Sequence, residues 1–305
     1  MAIVKMKRLR LIALAQDRDA LLSSLLHVGC VELREPEGEL SEENGAALLH
    51  HDVSLLTDAK GDLTQLQHAI EVLDKYAPRK KPLLSLRPTM KETELLDEAA
   101  RRSALEKAGL INGHARTIGQ LNARETRIHA DRLALQPWEN CDIPLETKGT
   151  AKAEVLLGAV PATAELSALA GALDEAAGAA EVRELSVDRE QRYLEILVHK
   201  DCRQEALDAL RSFGFSFAQL KDLTGTAKEN ITRLGRELDE ISAQRNKEIE
   251  AVRQMGSCAN ELQLGLDRVE QVVATESAKE RLLTGGSILY LEGWASVPEI
   301  PQLEK

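Results

Sequence analysis

The chain has 305 residues, a formal net charge of −11, 29% charged residues and only 3% aromatic residues. So acidic a balance excludes a general nucleic-acid binder, which needs basic side chains to displace phosphate counterions. A composition dominated by Ala, Leu, Glu and Arg with so few aromatics fits long helices rather than one thick core, and the length suits about two domains. No apolar run reaches the roughly 18 residues that would span a bilayer, and the basic N-terminus lacks the separate apolar stretch of a signal peptide. The expectation is a soluble, cytoplasmic chain. Cys30, Cys141, Cys202 and Cys258 are far apart and form no CxxC pair, which reads as structural thiols in a reducing compartment.

Taken in order, residues 4–15 read as a strand and residues 19–27 as a short helix. Asp17 stands at the helix N-cap, and Leu21, Leu22, Leu25 and Leu26 lie on one side. Gly29 stops the helix and residues 30–34 return as a strand, which closes a β-α-β unit. Lys5, Lys7, Arg8 and Arg10 make the first strand locally basic. That cluster is either a solvated face or a contact for acidic partners or lipid headgroups, and these residues are the candidate partner-binding positions. The acidic stretch 35–43, with Pro36 and Gly38, reads as a loop.

An apolar stripe then runs through Leu49, Leu56, Ala59, Leu63, Leu66, Ile70, Leu73 and Ala77. It ends at Pro78, Pro82 and Pro88, with Arg79, Lys80 and Lys81 between them. A further helix is expected over residues 91–135, where Ile111 and Ile118, and Leu121, Ile128 and Leu135, recur at seven-residue intervals. Pro137 and Pro144 end it. Residues 153–160, 163–175, 180–187, 192–199, 203–213 and 215–220 read as strand, helix, strand, strand, helix and strand, the β-α-β-β-α-β order of a ferredoxin-like sandwich. In the third of these strands Leu194, Ile196 and Val198 should face the core, with Tyr193, Glu195, Leu197 and His199 on the other face.

From residue 226 to about 283 a single long helix is expected. Within it a 3-4 spacing lands on Ile231, Leu234, Leu238, Ile241, Arg245, Glu248, Val252, Met255, Ala259, Leu262, Leu266, Val269 and Val273, and eleven of these thirteen positions are apolar or small. A 3.5-residue repeat keeps one narrow stripe on a partner helix, as in a coiled coil, over a rod on the order of 60 Å long. Arg245 and Glu248 interrupt the stripe, as a wet spot, a register mark or a hinge. Gly285 and Gly286 end the helix and residues 287–292 read as a strand. Helices that run out, a globular lobe, and one helix that runs back predict an α+β dumbbell, two small α/β lobes joined by a long antiparallel coiled-coil bundle. The proximal lobe is residues 1–45 with 284–305, the outbound helices 46–137, the ferredoxin-like distal lobe 138–221 and the return helix 222–283.

Little catalytic chemistry survives inspection. His50 and His51 diverge by about 100° on a helix and cannot share an ion unaided, so they read as helix-surface residues. Asp222, Thr224, Gly225 and Thr226 look like a phosphate-loop fragment, but without GxxxxGK[ST] a helix N-cap accounts for them better. The carboxylates are spread along helices, where salt pairing and solubility explain them. No cofactor, metal or catalytic residue is assigned.

The opening VKMKRLRLIALAQDRDALLSSLLHVGCVELREPE resembles the start of subunit I, the prokaryotic counterpart of subunit a, of V-type (A/V-type) rotary ATPases. LQPWENCDIPLE, with Pro137, Trp138, Ile143 and Pro144, is similar to that family's turn into the distal lobe. YLEGWASVPEI, with Gly293, Trp294, Val297 and Pro298, is similar to its exit from the cytosolic part. The resemblance covers essentially the whole chain. It implies the non-catalytic cytosolic stator arm of a proton-translocating complex, bound to peripheral-stalk E/G-type heterodimers and to the central-stalk cap subunit. Contact with the membrane would come only through a C-terminal half absent from these residues, and nucleic acid is not an implied partner. The alternatives are a free-standing coiled-coil scaffold or tether, and an amino-acid-sensing ferredoxin-like module using Gly158.

Overall fold

A computed structural model of the chain describes residues 4–35, 50–51, 54–79, 91–178, 180–220 and 223–304. Strand β1 (Met6–Leu14), helix α1 (Arg18–Val28) and strands β2 (Val31–Arg34) and β3 (His50–His51) come first. Helices α2 (Leu56–Tyr76), α3 (Glu92–Leu95) and α4 (Glu98–Leu135) follow. Next are β4 (Ala153–Pro161), α5 (Leu166–Ala177), β5 (Ala180–Val187), β6 (Gln191–His199), α6 (Arg203–Ser212) and β7 (Ser216–Phe217). Helices α7 (Ala227–Gln254) and α8 (Ala259–Glu280), strands β8 (Leu283–Gly285) and β9 (Ile288–Ser296) and a last helical turn α9 (Ile300–Leu303) complete it. Helices and antiparallel sheets give an α+β fold. The chain divides into two compact units, Met1–Arg116 with Ile249–Lys305, and Thr117–Glu248.

Local chemistry sets most boundaries. Gly29 ends α1 in the left-handed conformation at φ 67°, its N–H donating to Leu25 O. Helix α2 stops because Ala77 precedes Pro78 and is pushed out of the helical region, to φ −129° and ψ 57°. Asp97 breaks the helix expected over 91–135: its Oδ1 accepts the N–H groups of Ala99 and Ala100 at 2.9 and 3.1 Å and caps α4 afresh. Asp17 occupies the α1 N-cap position but accepts no capping bond, because a 3-10 turn over Ala15–Asp17 leads directly into the helix.

In the first unit, α2, α4 and the α7–α8 segment pack three ways. Leu66, Ala69, Val72 and Leu73 meet Ala104, Ala108 and Ile111 and, from the third element, Val252, Ala259, Leu262 and Val269. Small residues bring α4 and α8 close, since a Cβ on Gly265 would lie 2.5 Å from Ala104 Cβ. The long helix is interrupted at Met255–Cys258 by a 3-10 stretch, where Gly256 approaches the Ala77 methyl. The stripe stays inward across that stretch, and none of its thirteen positions is exposed. Two buried charges fix the surroundings. Arg268 donates to Glu94 O at 3.0 Å, and Glu276 accepts the Leu55 N–H at 2.7 Å where α2 begins.

The sheet of this unit is built around β9. Its one edge pairs antiparallel with β1, and its other edge pairs with β8 at one end and β2 at the other. β1 and β2 are therefore parallel with β9 between them, a split β-α-β closed by a strand from the far end of the chain. Leu22 of α1 packs on Leu282, Leu289 and Leu291. The chain differs from expectation at two places here. Residues 283–285 are a strand that turns through Gly286 (φ 63°) into β9, rather than the end of a helix. His50 and His51 lie on β3, paired with Thr284 and Leu283, not on a helix surface. The strand exists only because β8 offers it an edge, a pairing invisible in a stripe that starts at Leu49. Leu49, Lys80, Lys81, Pro82, Pro88 and most of the acidic 35–43 stretch lie outside the described residues.

The second unit carries a four-stranded antiparallel sheet in the order β5-β6-β4-β7, two interlocked split β-α-β units as the ferredoxin-like order requires. Leu194, Ile196 and Val198 are buried against α5 and α6. The opposite face is covered by Trp138, Cys141 and Leu145, with Trp138 edge-on to Tyr193 at 5.4 Å. Residues 216–217 alone pair with β4, so the expected six-residue last strand shrinks to two. Leu121, Ile128 and Leu135 of α4 pack with Leu234 and Ile241 of α7. Where Arg245 breaks the stripe, its guanidinium meets Glu125 and donates to Asn122 Oδ1 at 3.2 Å, both on α4. That match marks register between the two helices.

Candidate partner-docking face

The basic first strand is divided by the alternation of β1. Leu9, Leu11 and Ala13 turn inward and are partly buried, while Met6, Arg8, Arg10, Ile12 and Leu14 turn outward and are exposed. The antiparallel register sets Arg8 opposite Trp294, Arg10 opposite Glu292 and Ile12 opposite Tyr290. β2 sets Arg34 beside Glu292 and Glu32 beside Trp294. The outward sheet face thus has a charged middle with apolar side chains at both ends.

Glu292 is the centre of this face. It is buried, and it accepts Arg8 Nη2 at 2.7 Å, Arg10 Nε at 2.9 Å and the Tyr290 hydroxyl. Burial pushes the Glu292 carboxyl up, but the hydrogen bonds from Tyr290 and Arg8 and the nearby arginine charges outweigh it, so its pKa lies below the ordinary value. Burial and the same carboxylate raise the Tyr290 hydroxyl. Arg8, Arg34, Glu35, Glu292, Gly293 and Trp294 line a cleft of about 60 Å³ beside it. Gly293 is required where β2 crosses close, since a Cβ there would lie 2.7 Å from Glu32 O.

A depressed carboxylate contributes stability that is complete above the ordinary carboxylate range and is lost as pH falls through the native value. Glu292→Gln is therefore expected to cost on the order of 2 kcal/mol at neutral pH, the scale of hydrogen bonds to a charged group. The gap from wild type should close as pH falls below the ordinary carboxylate range. Denaturant unfolding across that range checks it, and a gap independent of pH would refute the charged role of Glu292.

The structure places Arg8 and Arg10 together on Glu292. Lys5 and Lys7 stay exposed, with no ion pair among the described residues. Glu292 and Tyr290 were missed from the sequence, although a lone acid between Leu291 and Gly293, in step with Tyr290 and Trp294, was a usable signal. Of the other sites considered, Thr226 and Glu229 form a reciprocal capping box at the start of α7, while Asp222 lies outside the described residues. Among the described residues no group of three or more His, Cys, Asp or Glu is placed to hold a metal ion. No described helix is long and apolar enough to cross a membrane.

No protein-family model and no curated protein matches the chain. Among solved structures it is similar to the cytoplasmic N-terminal domain of subunit I, homolog of subunit a, of V-ATPase. The match has 16% identity over 97% of this chain and 95% of that one, with a TM-score of 0.50. At that identity the likeness establishes the fold.

Proposed function

We propose that this chain, with the fold of a V-ATPase subunit I cytoplasmic domain, is a cytosolic stator element of a rotary V/A-type proton-translocating ATPase. In that role it is non-catalytic: it links the membrane sector to peripheral stalks of the E/G type, touches the central-stalk cap subunit and resists the torque of the rotor. The observation that carries this reading is the extent of the likeness, which spans nearly all of both chains and so concerns a whole architecture rather than a common module. Two features support it. The helical core of the first unit is closed by interdigitating side chains from three elements, and such packing resists sliding. The sheet built from both chain ends leaves an outward face with exposed apolar and basic side chains, which is what an assembly contact uses.

The test is calorimetric titration of the folded chain with the E/G-type heterodimer from the same organism. Saturable binding in the micromolar range or tighter, about −8 kcal/mol or better, is expected. No heat at about 50 μM of each component would return the chain to a free-standing helical scaffold.

A further inference from the structure

In the second unit α4 and α7 lie antiparallel, and over part of their length each satisfies the other's charges. Arg124 Nε donates to Glu237 Oε1 at 3.0 Å, and Arg245 meets Glu125. Towards the C-terminal end of α4 and the start of α7 this cross-pairing stops. Arg132, Lys228 and Arg236 form no ion pair among the described residues, and Arg233 donates to Asn230 Oδ1 at 3.0 Å rather than to a carboxylate. Glu229 is held in its capping bond with the Thr226 N–H.

The same end presents apolar surface. Leu133 is 69% exposed, and with Ile231, His129, Arg132, Gln136 and Glu139 it lines a cleft of about 330 Å³ between the two helices. Further round α7, Lys228, Glu229, Thr232, Arg233 and Arg236 line a second cleft of about 400 Å³. Lys228 stands three residues from Ile231 on the helix surface and so joins the two clefts. In the first unit the helical elements pack three ways around their core, but here α4 and α7 share a core with no third helix among the described residues. Only residues 179, 221 and 222 of the range 117–248 lie outside the described set, too few to supply one.

We infer that this end of the α4–α7 pair takes an acidic amphipathic helix of another protein as its third helix. The apolar side of that helix lies on Leu133 and Ile231, and carboxylates on its flanks reach Arg132 on one wall and Lys228 and Arg236 on the other. Lys228 and Arg236 are about 12 Å apart along α7, a span that two turns of a partner helix match. A free phosphate would use the cations but gain nothing from Leu133, so the apolar contact favours a helix laid in a groove. A second copy of this chain fits poorly, because a two-fold contact would set this basic patch against itself. The groove does not depend on the stator reading: absence of binding to the E/G-type heterodimer would leave it standing, and its own failure would leave that reading open.

The probes are two labelled helical peptides of about 18 residues, titrated into the full chain by fluorescence anisotropy. One has leucines at helical spacing flanked by glutamates, and the other has each glutamate replaced by glutamine. The glutamate peptide is expected to bind saturably, and the glutamine peptide at least about tenfold more weakly. Arg132→Glu with Lys228→Glu should weaken binding by at least as much, and so should Leu133→Ser. Glutamate in the first turn of α7 suits the helix dipole, and circular dichroism should stay unchanged. If the double variant misfolds, Leu133→Ser and the glutamine peptide still decide the matter. Arg127→Glu, at an exposed α4 position outside both clefts, should leave binding as it is. No binding of the glutamate peptide at about 100 μM, or an equal loss in Arg127→Glu, would overturn the inference. Binding indifferent to Leu133→Ser would also overturn it, by reducing the groove to a simple anion site. So would a concentration-dependent dimer in sedimentation that Lys228→Glu abolishes, which would give the groove to a second copy.

Discussion

Leu262→Pro is expected to destabilise the chain by at least ~5 kcal/mol. Leu262 is fully buried in the cluster where α2, α4 and α8 meet. Truncation to alanine removes its packing and leaves a cavity, which costs about 2–5 kcal/mol. Proline does that and also deletes a backbone bond and clashes with the preceding turn, adding about 3 kcal/mol. Guanidinium unfolding followed by circular dichroism should therefore rank wild type above Leu262→Ala, and Leu262→Pro lowest. A proline variant no worse than the alanine variant would mean that the α8 backbone is not held in this bundle.

Gly158→Val should cost about 2–3 kcal/mol, the scale of overpacking a filled core. A Cβ at Gly158 would lie 2.2 Å from Phe215 Cζ and 2.5 Å from Ser216 O. The ring could tilt, but Ser216 belongs to the strand that pairs with β4 at Gly158 and Ala159, so its carbonyl cannot move without loss of β7. The glycine is thus explained by close packing under the ferredoxin-like sheet. An amino-acid sensor would keep it for a ligand loop, and the same substitution would then leave stability nearly unchanged while abolishing a ligand-induced rise in melting temperature. Thermal scans of wild type and Gly158→Val, with and without a panel of amino acids, separate the two, and a neutral variant would revive the sensor.

Much of the architecture was legible because it follows from short-range periodicity. The ferredoxin-like order was readable from alternation, as in Leu194, Ile196 and Val198, all nearly inaccessible to solvent. The seven-residue recurrences of Ile111 and Ile118, and of Leu121, Ile128 and Leu135, likewise marked the buried side of α4. β3 and β8 were not legible: two or three residues carry no period, β3 exists by pairing with β8 more than two hundred positions away, and β8 is the short arm of a hairpin on β9. The candidate face shows the same division. Four cations on one strand were plain in the sequence, but that two of them clasp a carboxylate 282 and 284 positions later was not.

By itself, then, the sequence determined where most helices and the long strands lie and where α1 and α2 stop, because helix periodicity, Gly29 in the left-handed region and Ala77 before Pro78 act within a few residues. Only the tertiary structure decided that β9 lies between β1 and β2, that Glu292 is buried under Arg8 and Arg10, and that the far edge of β1 has no strand beside it among the described residues. The physical reason is that ladder bonds join backbone groups common to every residue. A strand does not spell out its neighbour, and the fate of a charge depends on what the rest of the chain lays beside it.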